Sequence, residues 1–372
     1  MRIAYLSTFY PFRGGIAQFN ALLYEQLAIS NEIRAFTFKR QYPDFLFPGT
    51  SQYVSETDVV KKIDALEILD SINPFTYYRT AEEIKRFNPD LIITKFWMPF
   101  FAPSLGYICG KVRKSGVKSI SILDNVIPHE RRFGDLFLTR YFLERNDGFV
   151  VMSDAVKNDL LNLKPGANYI KHFHPIFNHF GNKVEKNLAR EILGIPLDKK
   201  VLLFFGFIRD YKGLDVLLEA ISKLSDEYLL VIAGEVYGDF DKYDSIIADL
   251  TIENRIKKFI RYVDDKEVPL FFSASDVCVQ PYKSATQSGI VGISFHFELP
   301  IIATDVGGLR EIIEEYHTGI VVEQAHSELI KDAVIEFFSG DSNIFKDNIR
   351  RFKEICSWKS FAENLLKLYQ SL

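Results

Sequence analysis

Apolar and polar positions fall into blocks along this chain. Short runs rich in β-branched and aromatic residues, RIAYL, IRAFTF, LIITKF, SISIL and FVVM, are separated by segments of helical spacing. A second series follows: VLLFF, LLVIAG, FIRYV, VCVQ, PIIAT and IVV. Apolar strands alternating with helices predict parallel sheets covered on both faces, an α/β fold. Phe19, Leu22, Leu23 and Leu27 recur at helical spacing after Gly14-Gly15, as do Leu214, Leu217, Leu218, Ile221 and Leu224 after Gly213. Each series thus opens as strand, glycine turn, helix. The C-terminus predicts another amphipathic helix, with Trp358, Phe361, Leu365, Leu366 and Tyr369 on one side.

Between FVVM and VLLFF lies a stretch with several prolines and glycines and weak periodicity, which predicts a domain crossing near residue 180. At 372 residues the chain exceeds the usual size of one core. Two domains are expected, 1–180 and 181–356. Hydrophobic residues make up 47% and charged ones 25%, the composition of a soluble globular protein.

The longest apolar run, Phe96 to Gly110, is broken by Pro99 and Pro103 and is too short to span a bilayer. The N-terminus lacks the charged-then-apolar layout of a signal peptide, so a cytoplasmic location is expected. Cys109, Cys278 and Cys356 show no paired spacing, which predicts buried free thiols rather than disulfides or a zinc site. Residues 1–180 carry 22 Lys and Arg against 18 Asp and Glu, the remainder 23 against 31. This mild asymmetry could favour an anionic acceptor or a membrane surface; ordinary variation is the alternative. Nothing suggests a nucleic-acid partner.

Three strand ends carry candidate chemistry. In FYPFRGGIAQFN, Gly14-Gly15 turns the chain into a helix whose unpaired N–H groups face the sheet edge. The three-glycine dinucleotide fingerprint is absent there. In VLLFFGFIRDYKGLDVLLEA, Arg209 and Lys212 occupy the loop where open α/β sheets bind ligands. Two cations there suit a diphosphate, Arg gripping it bidentately and Lys acting as a point charge. In YKSATQSGIVG, Ser288, Gly289 and Ile290 would offer backbone donors to phosphate at a helix start, with Thr286 and Gln287 just ahead. Each feature alone could be an ordinary solvated pair or capped helix.

Together these stretches, with DNVIPHE, VVMSDAVKNDL, ASDVCVQPY and PIIATDVGGLREII, resemble the GT-B glycosyltransferases, specifically glycosyltransferase family 4 and its relatives. The resemblance covers nearly the whole chain. It implies a GT-B architecture of two Rossmann-like domains with parallel sheets facing a central cleft, the first on the acceptor side and the second holding a nucleotide-sugar donor. A C-terminal helix, 357–372, would cross back to the first domain. Arg209 and Lys212 then become diphosphate contacts and catalytic cations, joined by Gly14, Gly15, Ser288, Gly289 and Ile290. Gly206, Glu235, Tyr262 and Val263 would flank the nucleoside. The family implies retention at the anomeric carbon and no essential metal or other cofactor.

The sequence departs from the family at two places. Where many members have two glutamates, it has Ala285 and Ile293; it matches instead a Thr-Gln-Ser-Gly variant of the donor loop. Thr286 and Gln287 are the candidates for sugar hydroxyls, since a neutral amide both donates and accepts. Where relatives place a histidine beside the reacting sugar stands Asp124, which could bind a donor hydroxyl or accept an acceptor proton, with His129 and Glu130 on the acceptor side. Asp124 as a cap and His129 as packing are the alternatives. His172 and His174 lack a third ligand and predict linker packing.

The aromatic run with GKVRK, Phe96 to Lys114, could present apolar and basic surface for peripheral membrane contact, or pack in the core at a sheet edge. The expected activity is transfer of a sugar to a hydroxyl on a lipid-linked saccharide or surface-polysaccharide precursor. A GT-B-shaped sugar-nucleotide epimerase or hydrolase, or a non-catalytic nucleotide-sugar binder, are the other readings.

Overall fold

The computed structural model describes residues 1–43, 52–54, 61–127, 132–176, 180–236, 239–285 and 288–372. The chain divides into two compact units, Met1–Phe173 with Trp358–Leu372, and His174–Ser357. The division falls somewhat before the expected crossing at 180. Both units are α/β, each built on one wholly parallel sheet in a Rossmann-like layout.

The first sheet holds β1 (Arg2–Leu6), β2 (Glu32–Arg40), β3 (Ala65–Asp70), β4 (Leu91–Phe96), β5 (Lys118–Leu123), β6 (Gly148–Val151) and β7 (Asn168–Lys171). Their order is β3-β2-β1-β4-β5-β6-β7. The second holds β8 (Lys200–Phe205), β9 (Tyr228–Ala233), β10 (Ile256–Phe259), β11 (Val277–Gln280), β12 (Ile301–Thr304) and β13 (Gly319–Val322), ordered β10-β9-β8-β11-β12-β13. Chain direction across each sheet reverses once, between β1 and β4 and between β8 and β11. At such a switch point the loops leaving the two strands diverge and open a crevice at their carboxyl ends.

Burial explains the pattern of apolar runs. Residues of β4 and β9 are buried throughout because helices cover both faces. Phe19, Leu22, Leu23 and Leu27 are buried on the helix Gly15–Ala28, and Leu214, Leu217, Leu218 and Ile221 on the helix Leu214–Ser222. β4 is the central strand of its sheet, not an edge strand as expected from the Phe96–Lys114 run. Phe96, Phe101, Leu105, Ile108 and Val112 from that run are core residues, while Tyr107, Lys111 and Lys114 stay at the surface or partly covered.

Two expectations shift. FIRYV is not a strand: β10 runs over Ile256–Phe259, in register with Leu230–Ala233 of β9, and Tyr262 and Val263 lie on the loop after it. On the terminal helix Trp358–Ser371 the buried side chains are Trp358, Phe361, Ala362, Leu365 and Leu368, so Leu368 replaces Leu366 on the inner face. Gly148 makes the room, since a Cβ there would lie 3.2 Å from Leu368 Cδ2. Trp358 and Phe361 meet Phe19 edge-on at centroid distances of 5.0 and 5.5 Å.

This helix belongs to the core of the first unit despite coming last in sequence. Truncating Leu365, fully buried, to Ala is expected to cost about 2–5 kcal/mol in urea unfolding followed by fluorescence.

Candidate functional site

The loops leaving β8 and β11, the two strands flanking the second switch point, are locked to each other by backbone. After β8 the chain passes Gly206, whose φ of +96° suits only glycine. A Cβ on Gly206 would lie 3.2 Å from Ile290 Cδ1 and 3.4 Å from Lys212 Nζ. Three expected donor-site residues therefore meet at one point. One turn later Gly213, also in the left-handed region, lies so close to the β11 loop that a Cβ would sit 2.0 Å from the Pro281 carbonyl oxygen. Lys283 N–H donates to the Tyr211 carbonyl at 2.7 Å, closing the second tie.

Between these ties sits Lys212, in a short 3-10 turn over Asp210–Lys212. Its side chain is 8% exposed. Nζ lies 5.6 Å from the centroid of the Tyr282 ring, and among the described residues no carboxylate pairs with it. Burial pushes its pKa down to about 8, and the nearby Arg209 guanidinium adds to the depression. Arg209 itself is exposed and opens the turn, its carbonyl accepting from Lys212 N–H at 2.9 Å.

The Tyr282 hydroxyl reaches to 3.4 Å from Ser288 Oγ. Ser288 precedes the helix Gly289–His296 but its side chain makes no capping bond. Among the described residues no side chain accepts from the first-turn N–H groups of this helix, Gly289 and Ile290 among them, which lie at its positive end. A Cβ on Gly289 would meet nothing within 4 Å. Lys212, the Tyr282 ring and the helix start at Gly289 thus lie close together, with Arg209 beside Lys212, an arrangement whose charge suits an anion.

Glu235 adjoins this site from β9: its carbonyl accepts from Ile208 N–H at 2.8 Å, and Gly234 approaches Gly206 so closely that a Cβ would lie 2.1 Å from the Gly206 oxygen. Tyr262, exposed, and Val263, buried, follow the edge strand β10, two strands away from β8. Thr286 and Gln287, and likewise His129 and Glu130, lie outside the described residues. Sequence reading assigned no role to Tyr282, although it stands inside a quoted motif, nor to Gln280, whose buried amide finds no hydrogen-bond partner among the described residues.

In the first unit, Gly14 has φ +105° and caps the helix that begins at Gly15, with open space around both. Asp124 follows β5 at the carboxyl edge. Its Oδ1 accepts from Lys95 Nζ at 2.6 Å, so it is an ion-pair member rather than a helix cap. Lys95, one residue from the end of β4, was missed as a functional residue; a lysine inside the apolar run LIITKF was the available signal. His172 is buried, with its ring against Phe361 and Nε2 near Ser360 Oγ at 3.3 Å. Cys109, Cys278 and Cys356 are free and buried, each pushed up to about 12 by burial.

Residues 185–354 match the family model described as Glycosyl transferases group 1. A D-inositol 3-phosphate glycosyltransferase from Corynebacterium urealyticum is 29% identical over 231 residues, covering 59% of this chain and 53% of that protein. Spore coat protein SA from Bacillus subtilis is 27% identical over 219 residues, covering 54% of this chain and 56% of that protein. The chain spans about half the length of these relatives.

Among solved structures, Anabaena Alr3699/HepE in complex with UDP superposes with a TM-score of 0.71 at 14% identity, covering 100% of both chains. The apo form of the lipopolysaccharide outer core galactosyltransferase WaaB gives 0.72 at 16% identity, covering 99% of both. These likenesses establish the fold: two parallel-sheet Rossmann-like halves, as in GT-B glycosyltransferases.

The buried Lys212 ammonium generates a sign-specific prediction. Its folded-state pKa is lowered, so the charged form costs stability below pH 8 and the cost is relieved as pH rises from about 8 towards 10.5. Without ligand, Lys212→Met is expected to be more stable than the parent below pH 8, by on the order of 3 kcal/mol. Thermal unfolding of both proteins across this range should show the gap closing at alkaline pH.

Proposed function

We propose that the chain is a glycosyltransferase that moves a sugar from a nucleotide donor to a hydroxyl acceptor. The observation that carries this reading is the approach of Lys212 and of Ile290, in the first turn of the helix that starts at Gly289, to Gly206, with Arg209 beside Lys212. In the reaction the anomeric C–O bond to the diphosphate breaks and its electron pair leaves with the phosphate oxygen. The acceptor oxygen bonds to the anomeric carbon and gives up its proton to an oxygen of the departing diphosphate. Charge accumulates on the departing diphosphate, where Lys212, Arg209 and the N–H groups of Gly289 and Ile290 stabilise it. With those cations in place the transfer needs no divalent metal, and the donor lies so that the anomeric configuration is retained.

Gly206 and Glu235 adjoin the diphosphate and belong to the nucleoside side of the site, with Tyr262 and Val263 further along the sheet edge. Thr286 and Gln287 take the sugar hydroxyls in place of the family's glutamates. Asp124, at the carboxyl edge of the first sheet, binds a sugar hydroxyl, and Gly14 and Gly15 close over the donor; His129 and Glu130 serve the acceptor. A uridine nucleotide is the first donor to test, since HepE is solved with UDP. The acceptor is a saccharide, lipid-linked or part of a surface-polysaccharide precursor, and the enzyme works in the cytoplasm.

Peripheral membrane contact is part of the same proposal. Phe75, 83% exposed, and Tyr78 project from the helix Pro74–Phe87, with Lys111 Nζ 4.4 Å over the Tyr78 ring. Beside them a cavity of about 850 Å³ is lined by Tyr107, Lys111, Arg113, Lys114, Tyr141 and Arg145 among others. Aromatic and basic side chains together suit an anionic bilayer surface. The cavity also takes in Val117 and Lys118 at the start of β5, the end opposite Asp124. It therefore serves surface contact and not the acceptor. Among the described residues no helix is long and apolar enough to cross a membrane.

The test is nucleoside diphosphate binding and sugar transfer in the parent, Arg209→Ala and Lys212→Ala. Each variant is expected to lose affinity for UDP by at least tenfold and turnover by about 10²–10³-fold while remaining folded. Transfer should persist in EDTA, and donor affinity should fall as pH rises through 8, where Lys212 loses its charge. Nucleotide-sugar turnover with no acceptor dependence would replace transfer by hydrolysis or epimerisation; binding without turnover would reduce the protein to a binder.

A further inference from the structure

Lys95 is a charged residue on the central strand of the first sheet, where an aliphatic side chain would pack at less cost. Its side chain is 2% exposed, its ammonium stands 2.6 Å from Asp124 Oδ1, and it lies 3.6 Å from the centroid of the Phe19 ring. Asp124 is fixed from behind as well, its N–H donating to the Phe96 carbonyl at 2.9 Å. The carboxylate is the exposed member, at 22%.

Phe19 belongs to the helix entered through Gly14-Gly15. The next residue, Asn20, ties that helix to the β1 loop by accepting from the Tyr5 hydroxyl at 2.7 Å and donating to Ser7 Oγ and the Thr8 carbonyl, both at 2.8 Å. Lys95 on β4 therefore joins the residue that follows β5, Asp124, to Phe19 on the helix Gly15–Ala28. A buried ion pair is seldom kept for stability, because desolvation of both charges offsets their attraction. Burial depresses the Lys95 pKa and Asp124 opposes that depression, so the pair is the condition for keeping a charge here.

We infer that Lys95 is a positioning residue for sugar transfer: it occupies Asp124 Oδ1, leaving the other carboxylate oxygen to accept from a sugar hydroxyl, and cancels the charge an anionic donor would otherwise meet. This rests on the transferase reading, with Asp124 as the group that touches the sugar. A neutral amide in place of Asp124, or an Asp124 released from Lys95, would bind the hydroxyl weakly or in the wrong orientation.

The experiment uses the full chain with UDP-glucose first, then other nucleotide sugars, following both nucleotide release and transfer. It compares Lys95→Met, Asp124→Asn and the double variant, with UDP affinity and thermal unfolding measured alongside. Lys95→Met is expected to bind UDP within about twofold of the parent, because UDP is held by the second unit, and to lose kcat by about 10²-fold with little change in donor KM. The double variant, free of any buried charge, should regain thermal stability but not kcat.

Recovery of kcat in the double variant, or parental kcat in Lys95→Met, would show that the pair only supports folding and would overturn the proposal while leaving the transferase reading intact. A parent that binds UDP yet turns over no nucleotide sugar overturns both.

Discussion

In the second unit the Lys212 ammonium is buried with no carboxylate paired to it among the described residues. Lys212 is held in place by backbone contacts, not by a carboxylate: Gly213 pressed against Pro281, and Lys283 N–H bonded to the Tyr211 carbonyl. A cation desolvated in this way raises the free energy of the empty protein, and an anion arriving beside it recovers that cost. The loops after β8 and β11, the uncapped helix start and the glycines that let them approach all follow from keeping that charge available. A Cβ at Gly213 would clash with the Pro281 carbonyl and push these loops apart, and one at Gly234 would clash with the backbone of Gly206.

The first unit solves a similar problem in a different way. Its glycine turn also opens a helix start at the carboxyl edge of a parallel sheet, but its buried lysine is paired. Lys95 pairs with Asp124, so their charges offset each other and one carboxylate oxygen is held in place.

Much of this could be read in the sequence, and what could not follows a rule of burial. Strands covered on both faces, such as β4, β8 and β9, are predominantly apolar and stand out. The strands that escaped, β3 and β7, are both edges of the first sheet, with mostly half-buried residues and no run to mark them. β10, whose position was misjudged, is the edge of the second. Glycine turns and cations adjacent in sequence, Gly206 to Gly213, were legible because the site is local there. The contact of Lys95 with Asp124, the approach of Ile290 to Gly206 and the ring of Tyr282 near Lys212 join distant segments, and no local pattern announces them. Leu368 replaced Leu366 for the same reason: the room made by Gly148 decides which side of the helix is buried.

If a bound diphosphate supplies the counter-charge that no described carboxylate gives Lys212, its binding must take up protons near the pKa of about 8. Calorimetric titration with UDP at about pH 8.5, in buffers of different ionisation enthalpy, counts protons taken up as the complex forms. The account predicts a substantial fractional uptake in the parent, as the bound anion returns Lys212 to its charged form, and a markedly smaller uptake in Lys212→Met. Equal uptake in the two proteins, or none in the parent despite tight binding, would contradict it.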